Sequence, residues 1–326
     1  MALNCVYTTG VIAVKEKSLL KERIFRLAEM TVDEVFRTLL EHGYGGGAET
    51  AGSLHEYEAL IAYEEKELDA FIREYAPTKS DAAYFLAPRD FHNAKALFKA
   101  NYLSVDAEKM LAGEGLIPLT TLKKCMETAD YSEIEQVNPE LASACKEALK
   151  LLEEESVSGA AIGLIFDRAA YLHLAKITKF SPVLKSFVRA KADMINIVTA
   201  FRMGGRESAF DQYLPLGFLK KEQLSKIVLG DGEKIVSTFS STPYALFVKA
   251  CLEAAEKNLP PSEAEKMLAS YETEYFSARK YELQRDKPFL YYVLRRRAEN
   301  SNVRIIFAGK LAGLDEQGIK KRLRAL

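Results

Sequence analysis

The sequence contains no tryptophan and has only four cysteines and four histidines among its 326 residues. The cysteines lie far apart, and the absence of a Cys-x-x-Cys pair argues against a zinc ribbon or a dithiol redox pair. Free thiols buried in a protein of a reducing compartment are therefore expected. The histidines form no His-x-x-x-His pair, and none lies at metal-ligand spacing from a cysteine. These residues are Cys5, Cys125, Cys145, Cys251, His42, His55, His92 and His173.

An excess of charge of either sign is also missing, because 45 Lys and Arg oppose 46 Asp and Glu for a net charge of −1. A dedicated nucleic-acid binder would usually be strongly basic, so no nucleic-acid partner is predicted. Runs without a charged residue reach only about 14 residues, too short to span a bilayer. The first such run, 1–14, has no basic n-region, so a secretory signal is not expected. Any membrane association should come through a partner.

Nucleotide-binding and catalytic signatures are absent as well. The glycine-rich run 43–48 lacks Gly-Lys-Ser/Thr, and no strand precedes it, so it predicts a flexible loop between helices and not a phosphate loop. No nucleophile elbow occurs, and no alternation of strand and helix suggests an α/β nucleotide-binding fold. The sequence predicts no catalytic, cofactor-binding or metal-binding residue, no cofactor and no ATP binding by the isolated chain.

What the sequence does contain is helical patterning and 48% hydrophobic residues, enough for a large core. Helix starts are predicted at the capping-box patterns Thr31-x-x-Glu34 and Ser53-x-x-Glu56, and at Ser181-Pro182. Pro88 predicts a break in the chain. Only residues 3–14 remain ambiguous, because their β-branched alternation around Gly10 would also suit a short strand. We therefore predict an all-α protein.

One pattern occurs three times in the same order. A carboxylate is followed by an asparagine at i+3 and a phenylalanine at i+8, and the carboxylates lie about 103 and 106 residues apart. Recurrence at such a long period indicates internal repeats of ordinary domain size. The copies are Asp90, Asn93 and Phe98; Asp193, Asn196 and Phe201; and Glu299, Asn302 and Phe307. We expect the three phenylalanines to be equivalent and buried.

Other marks accompany the pattern. A proline lies 11 residues before the second and third carboxylates, at Pro182 and Pro288. Downstream, the segments 116–124 and 213–221 resemble each other, and an apolar-Lys pair occurs at Leu20-Lys21. The marks predict three helical repeats at residues 1–114, 115–212 and 213–326, with equivalent elements beginning near Leu20, Leu122 and Leu219.

Positions i and i+3 share one face of a helix, so Asp193 and Asn196 should point the same way. We expect a hydrogen-bond clamp that ties neighbouring helices or free backbone groups together. The alternative is a metal or catalytic carboxylate, but no histidine or second carboxylate accompanies the three copies. Pro88 places Asp90 near a helix start, and Gly309-Lys310 in the third copy predicts a different helix end from that marked by Gly204-Gly205 in the second.

With these marks the chain resembles the C subunits of the V/A-type rotary ATPases and ATP synthases, whose eukaryotic counterpart is the d subunit. Segment 299–310 is the most family-like piece, and the resemblance covers essentially the whole chain. It implies helix for residues 3–14 and three similar helical bundles arranged as a pseudo-threefold funnel.

The resemblance also implies a function. The chain would belong to the central stalk as a non-catalytic socket that links the rotor shaft, made of D- and F-type subunits, to the membrane ring of ion-carrying subunits. It would lie peripherally on the cytoplasmic side and pass torque for ATP-coupled proton or sodium transport. An all-α scaffold without an ATPase partner, or an enzyme that uses the repeated Asp/Glu-x-x-Asn marks, is the alternative.

Overall fold

Helices make up the regular structure of this chain, and the part described by the computed structural model contains no strand. The structure describes residues 5–20, 23–50, 52–153, 158–203, 211–259, 262–277 and 287–324. The all-α prediction is confirmed. The helices are α1 Cys5–Lys15, α2 Arg23–Leu27, α3 Val32–Glu41, α4 Tyr57–Tyr75, α5 Lys79–Leu103, α6 Leu119–Thr128, α7 Ser132–Val137, α8 Pro139–Leu152, α9 Gly159–Ile177, α10 Pro182–Met203, α11 Lys221–Leu229, α12 Gly232–Phe239, α13 Ala245–Glu256, α14 Ser262–Ser277, α15 Lys287–Leu311 and α16 Glu316–Lys320. Short 3₁₀ turns cover Glu16–Ser18, Tyr44–Glu49, Leu54–Glu56 and Glu108–Met110.

Local capping explains where several helices begin. The predicted capping box is present at α3, where the Thr31 hydroxyl accepts from the Glu34 N–H and the Glu34 carboxylate accepts from the Thr31 N–H at 2.8 Å. The Ser181 hydroxyl likewise accepts from the Leu184 N–H at 3.3 Å at the start of α10. Such caps satisfy N–H groups that have no partner within the helix.

The second predicted capping box is wrong. Ser53 makes no side-chain cap, and Glu56 instead accepts the Gly52 N–H at 2.8 Å, so α4 begins without the expected pair of bonds. Near the start of the chain, residues 5–15 form helix α1, as the family resemblance implies, and the strand alternative is excluded for them. Lys21 and the Gly204-Gly205 pair lie outside the described residues.

Pro88 does not break the chain. Helix α5 runs through it, so Asp90 lies in mid-helix and not near a helix start. A proline inside a helix removes one backbone hydrogen bond and crowds the preceding turn. The neighbouring side chains Phe85, Leu86 and Phe91 are all buried, and their packing offsets that cost.

The glycine-rich run is packed against α4. Gly43, Gly45, Gly46 and Gly47 have positive φ, and the Gly45 N–H donates to a Glu64 carboxylate oxygen at 2.8 Å. A Cβ atom on Gly45 would lie 2.5 Å from the Leu60 Cα atom, so only glycine fits there. This turn therefore has a structural role, and the free loop expected from the sequence is not what the structure shows.

The chain divides into two compact units. The first consists of Met1–Ala82 and Glu265–Leu326, so it contains both ends of the chain. Helix α15 is its central element and contacts α1, α2, α3, α4 and α16. Its core joins residues from both ends, including Leu20, Ile24 and Leu27 near the start and Val303, Ile306 and Phe307 near the end.

The second unit is Ala83–Ala264. One of its cores packs α5 against α6, α7, α8 and α9 through side chains such as Phe91, Phe98, Leu122 and Phe166. Within the same unit α10 contacts α9, α11 and α13. Three free cysteines, Cys125, Cys145 and Cys251, are buried in this unit, and burial raises the pKa of the Cys145 and Cys251 thiols to about 12.

Candidate functional site: three hydrogen-bonded clamps

The first copy of the repeated pattern forms a clamp on α5. Asp90 is fully buried, and its two carboxylate oxygens accept the backbone N–H groups of Leu116 and Ile117 at 2.9 and 3.1 Å. Asn93, also fully buried, accepts the Ala112 N–H at 2.8 Å and donates to the Gly113 carbonyl at 3.3 Å. The clamp thus holds the extended segment that leads into α6.

The second copy repeats this arrangement on α10. The Asp193 carboxylate accepts the N–H groups of Phe218 and Leu219 at 2.8 and 3.0 Å. Asn196 accepts the Leu214 N–H at 2.7 Å and donates to the Leu214 carbonyl at 3.0 Å. The Tyr244 hydroxyl adds a bond to Asp193 at 2.7 Å, so the clamp also involves the segment that leads into α13.

The third copy, on α15, holds two segments that are far apart in the sequence, at Leu20 and at Arg324. Glu299 accepts the N–H group of Leu20, which lies 279 residues away and leads into α2. Asn302 accepts the Arg324 N–H at 2.8 Å and donates to the Arg324 carbonyl at 3.1 Å. In the first two clamps, the carboxylate and the asparagine bind backbone groups of one nearby segment. In the third, Glu299 and Asn302 bind two separate segments, at Leu20 and at Arg324.

A glycine next to the clamped N–H groups distinguishes the two aspartate copies from the glutamate copy. Gly115 and Gly217 directly precede the clamped N–H groups, and a Cβ atom on either would lie 2.1 or 2.0 Å from the Asp carboxylate oxygen. An aspartate therefore reaches the backbone only where a glycine allows close approach. Leu19 occupies this position in the third clamp, where the acceptor of the Leu20 N–H is Glu299, whose side chain is longer by one methylene.

We expect Gly217→Ala to weaken the second clamp, because the new methyl group would displace the Asp193 carboxylate and loosen its bonds to the two N–H groups. Hydrogen bonds to a buried charge contribute about 1.5–3 kcal/mol each, so the free energy of unfolding should fall by about 2–4 kcal/mol. Gly10→Ala in α1 is the matched control, because nothing lies within 4 Å of its Cβ position. Chemical denaturation of both variants makes the comparison, and equal stability of the two would contradict the close-approach argument.

The third clamp is linked to a buried ionic network. One Nη of Arg296 donates a hydrogen bond to Glu299 at 2.5 Å, and the other Nη donates to Glu64 of α4. All three charged side chains are nearly inaccessible to solvent. Glu64 in turn holds the glycine turn through the Gly45 N–H, so a single guanidinium connects α4, α15 and two loop segments. Such a network is strongly destabilised when one partner is removed.

Burial and charge pairing act in opposite directions on the pKa values of Glu299 and Arg296. It raises the pKa of Glu299 above its ordinary value, although Arg296 and the Leu20 N–H act in the opposite direction. Burial alone would lower the pKa of Arg296, but the Glu64 and Glu299 carboxylates outweigh it and raise that pKa. The pKa of Tyr44 lies well above its ordinary value, chiefly through burial and then through the same two carboxylates.

The raised pKa of Glu299 makes a prediction for the pH dependence of stability. A carboxyl group with a raised pKa binds more protons in the folded state, so its contribution is most favourable below the unfolded pKa of about 4.5 and is lost as pH rises through the folded pKa. Glu299→Gln removes this titration. Relative to wild type, the variant should gain stability as pH rises from the unfolded pKa of about 4.5 through the raised folded pKa of Glu299.

Glu34→Gln is the control of opposite sign. Hydrogen bonds from Thr31 lower the pKa of Glu34, so its contribution is present above its unfolded pKa and is lost as pH falls. The advantage of wild type over Glu34→Gln should therefore grow with pH. Denaturant titrations at several pH values measure both differences, and a Glu299→Gln difference that is constant with pH would show that Glu299 does not titrate as described.

A polar cavity of about 190 Å³ lies next to this network in the first unit. Tyr44, Tyr63, Glu64, Tyr292 and Arg296 are among its lining residues. The Lys15 ammonium also lines it and lies 5.8 Å from the centre of the Phe71 ring. Both signs of charge are present around the cavity, and the Arg296 and Glu64 side chains are paired with each other.

The repeated phenylalanines are not equivalent. Phe98 and Phe307 are buried, but Phe201 is partly exposed and lines an apolar cavity of about 140 Å³ with Val198 and Cys251. The expectation of a buried Phe201 is therefore wrong. The cavity between α10 and α13 leaves one side of the ring without close packing.

The structure does not bring the histidines together into a shared site. The buried His173 contacts a Glu140 oxygen at 3.0 Å, and His92 contacts the Met110 carbonyl at 2.9 Å. Among the described residues, no group of three or more His, Cys, Asp and Glu is arranged to hold a metal ion. The carboxylates of the pattern are instead bound to backbone N–H groups, and the predicted clamp is observed in all three copies.

The signals that the sequence analysis missed are of two kinds. Gly115 and Gly217 occur at nearly the same distance after their aspartates and could have been recognised as part of the pattern. The pairing of Arg296 with Glu64 joins residues 232 positions apart. The hydrogen bond from Tyr244 to Asp193 joins two residues that belong to no common sequence motif. No local pattern points to these two contacts.

Comparison with known proteins agrees with the resemblance. The model of the ATP synthase (C/AC39) subunit family matches residues 8–322. The chain is 27% identical, over an alignment 351 positions long, to the C subunit of the A-type ATP synthase of Methanosarcina acetivorans, with 97% of this chain and 91% of the relative covered. It is 24% identical to the C subunit of the V-type ATP synthase of Thermus thermophilus, covering 75% of this chain and 77% of the relative.

A further relative is the C subunit of the V-type sodium ATPase of Enterococcus hirae, 22% identical with 82% of each chain covered. The family model extends over nearly the whole chain. The chain belongs to the ATP synthase (C/AC39) subunit family and is thus a rotary ATPase subunit.

Proposed function

We propose that this protein is the central-stalk socket of a V/A-type rotary ATPase. It would receive the rotor shaft of D- and F-type subunits and rest on the membrane ring of ion-carrying subunits. Its work would be to pass torque between the two for ATP-coupled proton or sodium transport. By this proposal it catalyses no reaction, and its eukaryotic counterpart is the d subunit.

The third clamp is the observation that carries the proposal. A body that transmits torque must resist deformation, and segments without fixed hydrogen-bond partners are the parts of a domain that open most easily. Here Glu299 and Asn302, one helical turn apart on α15, fix the segments at Leu20 and Arg324. Tying both segments to one long helix stiffens the unit that contains them, as a part that carries torque requires.

The three clamps also support an internal repeat. Each long helix, α5, α10 or α15, holds the segment that leads into the next short helix, α6, α11 or α2. We propose three similar helical bundles at residues 1–114, 115–212 and 213–326, arranged as a pseudo-threefold funnel. In the third clamp the held segment leads into α2.

The chemistry of the clamps favours a mechanical role over an enzymatic one. A catalytic carboxylate must reach a substrate, whereas the Asp90 and Asp193 side chains are fully buried and both oxygens of each are bound to backbone N–H groups. No described helix is long and apolar enough to cross a membrane. In the proposed role the protein lies peripherally on the cytoplasmic side, held there by its protein partners.

Washing and rebinding tests the assignment. Membranes that carry the ATPase are sedimented and washed with low-salt EDTA, and the released fraction is analysed for this protein and the other ATPase subunits. We expect the protein to come off with ATPase subunits, to rebind when added back in purified form, and to restore ATP-driven ion uptake. A protein found always alone in the supernatant, and without effect when added back, would contradict the proposal and favour a scaffold or enzyme outside the complex.

A further inference from the structure

The turn between α9 and α10 displays a single aromatic side chain. Phe180 is 85% exposed, more than any other large apolar side chain in the described part of the chain. The Lys179 ammonium lies 4.6 Å from the centre of its ring. The other apolar residues of the turn region, such as Leu184 and Phe187, face the core. Exposed aromatic rings of this kind are common anchors of protein interfaces.

The surroundings of Phe180 are cationic. Residues 176–191 contain five Lys and Arg and no Asp or Glu, in a chain whose net charge is −1. Lys176 is paired with Glu140 at 2.8 Å, and Arg189 donates to the carbonyls of Leu216 and Gly217. Lys179, whose ammonium contacts the ring, and Lys185 in the first turn of α10 are both exposed.

The backbone of the turn is fixed by hydrogen bonds. The Thr178 hydroxyl donates to the Leu174 carbonyl at 2.7 Å, and the Ser181 N–H donates to the Thr178 carbonyl at 3.0 Å. The Ser181 hydroxyl caps α10. A side chain presented by an ordered backbone loses little conformational entropy when a partner covers it, so this ring is prepared for binding.

We propose that the Lys179–Lys185 turn docks into an apolar pocket rimmed by carboxylates on another protein of the rotary complex. The inference rests on the proposed function, which supplies the complex, and it adds the surface and the chemistry of its partner. The two exposed lysines favour carboxylates on the partner, by charge complementarity. The single exposed ring favours a pocket on the partner over a flat surface. A bilayer would instead favour an apolar face along a helix, and the buried apolar residues of α9 and α10 face the core.

Rebinding of variants tests the surface. Phe180→Ala and the charge reversal Lys179→Glu/Lys185→Glu are added separately to EDTA-stripped membranes and to the released fraction, which contains the shaft and the ATP-hydrolysing part of the complex, the head. Each variant should raise the dissociation constant about tenfold or more in the fraction that holds the pocket. Phe180→Ala removes the ring that the pocket would bury, and the charge reversal removes the two cations that its carboxylates would meet. The effect of the charge reversal should shrink as salt concentration rises, whereas that of Phe180→Ala should not.

Leu246→Ala/Lys249→Glu is the matched control on α13, where Leu246 is 75% exposed. All these residues lie on the surface, so each variant should melt like wild type, and Phe180→Trp should retain binding. Equal affinity of the turn variants and wild type in both fractions would overturn the inference while leaving the proposed function intact. Loss of binding to protein-free vesicles of anionic lipid by the same variants would assign the turn to the membrane and also overturn it. Failure of wild type itself to rebind would instead contradict the proposed function.

Discussion

Arg296→Met should lower the free energy of unfolding by about 3–5 kcal/mol, because it leaves the buried carboxylates of Glu64 and Glu299 without their shared guanidinium. Methionine keeps much of the aliphatic volume of arginine, so the loss of stability measures the effect of removing the positive charge and its hydrogen bonds. Two segments should loosen together, those held through the Leu20 and Gly45 N–H groups. Denaturant unfolding gives the stability, and hydrogen exchange at these two amides locates the change.

Arg304→Met provides the control for this prediction. Arg304 also pairs with two glutamates, Glu58 and Glu65, but its side chain is 42% exposed, and solvent-exposed pairs contribute only about 0–1 kcal/mol. The triple variant Arg296→Met/Glu64→Gln/Glu299→Gln should recover part of the lost stability, because no buried charge is left unpaired. If Arg296→Met and Arg304→Met were equally mild, the buried network would not stabilise the first unit as described.

Phe307→Ala should cost about 3–5 kcal/mol, the range for deleting a fully buried aromatic ring. Its ring stacks on Tyr57 with centroids 4.5 Å apart and lies in the core that joins both ends of the chain. Loss of the ring should therefore loosen the contacts between the start and the end of the chain. The free energy of unfolding measures this loss.

Phe201→Ala is the internal control, because it removes the same group from the equivalent position of the second copy. The Phe201 ring is partly exposed and lines a cavity, so its removal should cost only about 1 kcal/mol. A cost for Phe201→Ala equal to that of Phe307→Ala would show that the cavity closes around the ring in solution. Equal and small costs would contradict the burial of Phe307.

The clamp could be predicted from the sequence because its two side chains belong to one short pattern. Asp193 and Asn196 share a helix face whatever the tertiary structure, and their recurrence identified them. Their backbone partners lie 18–27 residues away in the first two copies, and no local pattern in the sequence identifies these partners. In the third copy the carboxylate reaches across 279 residues, which only packing around α15 determines.

Local rules failed where tertiary packing was stronger. Pro88 should interrupt a helix, but the buried neighbours of α5 keep the helix continuous. The glycine run 43–47 resembled a free loop, but Glu64 and Leu60 fix it against α4. The exposure of Phe201 depends on how α13 lies beside α10, a relation that no periodicity within either helix records.

The clamps on α5, α10 and α15 hold the segments between the helices, and the proposed function gives this body a mechanical role. Torque transfer requires stiffness in such a body and contact with both shaft and ring, and neither contact takes part in ATP chemistry. Variants that open a clamp without unfolding the protein, such as Gly217→Ala, should therefore reduce the number of ions moved per ATP more than the rate of hydrolysis.

The most direct measurement is made on the ATPase with this protein deleted. Phosphate release by detached heads and ATP-driven ion uptake by vesicles are measured on the same preparation, before and after purified protein is added back. We expect unchanged hydrolysis by the heads and no ion uptake until the protein is restored. Ion uptake at a normal rate without the protein would contradict its role as the coupler, and loss of hydrolysis by intact heads would assign it a part in catalysis instead.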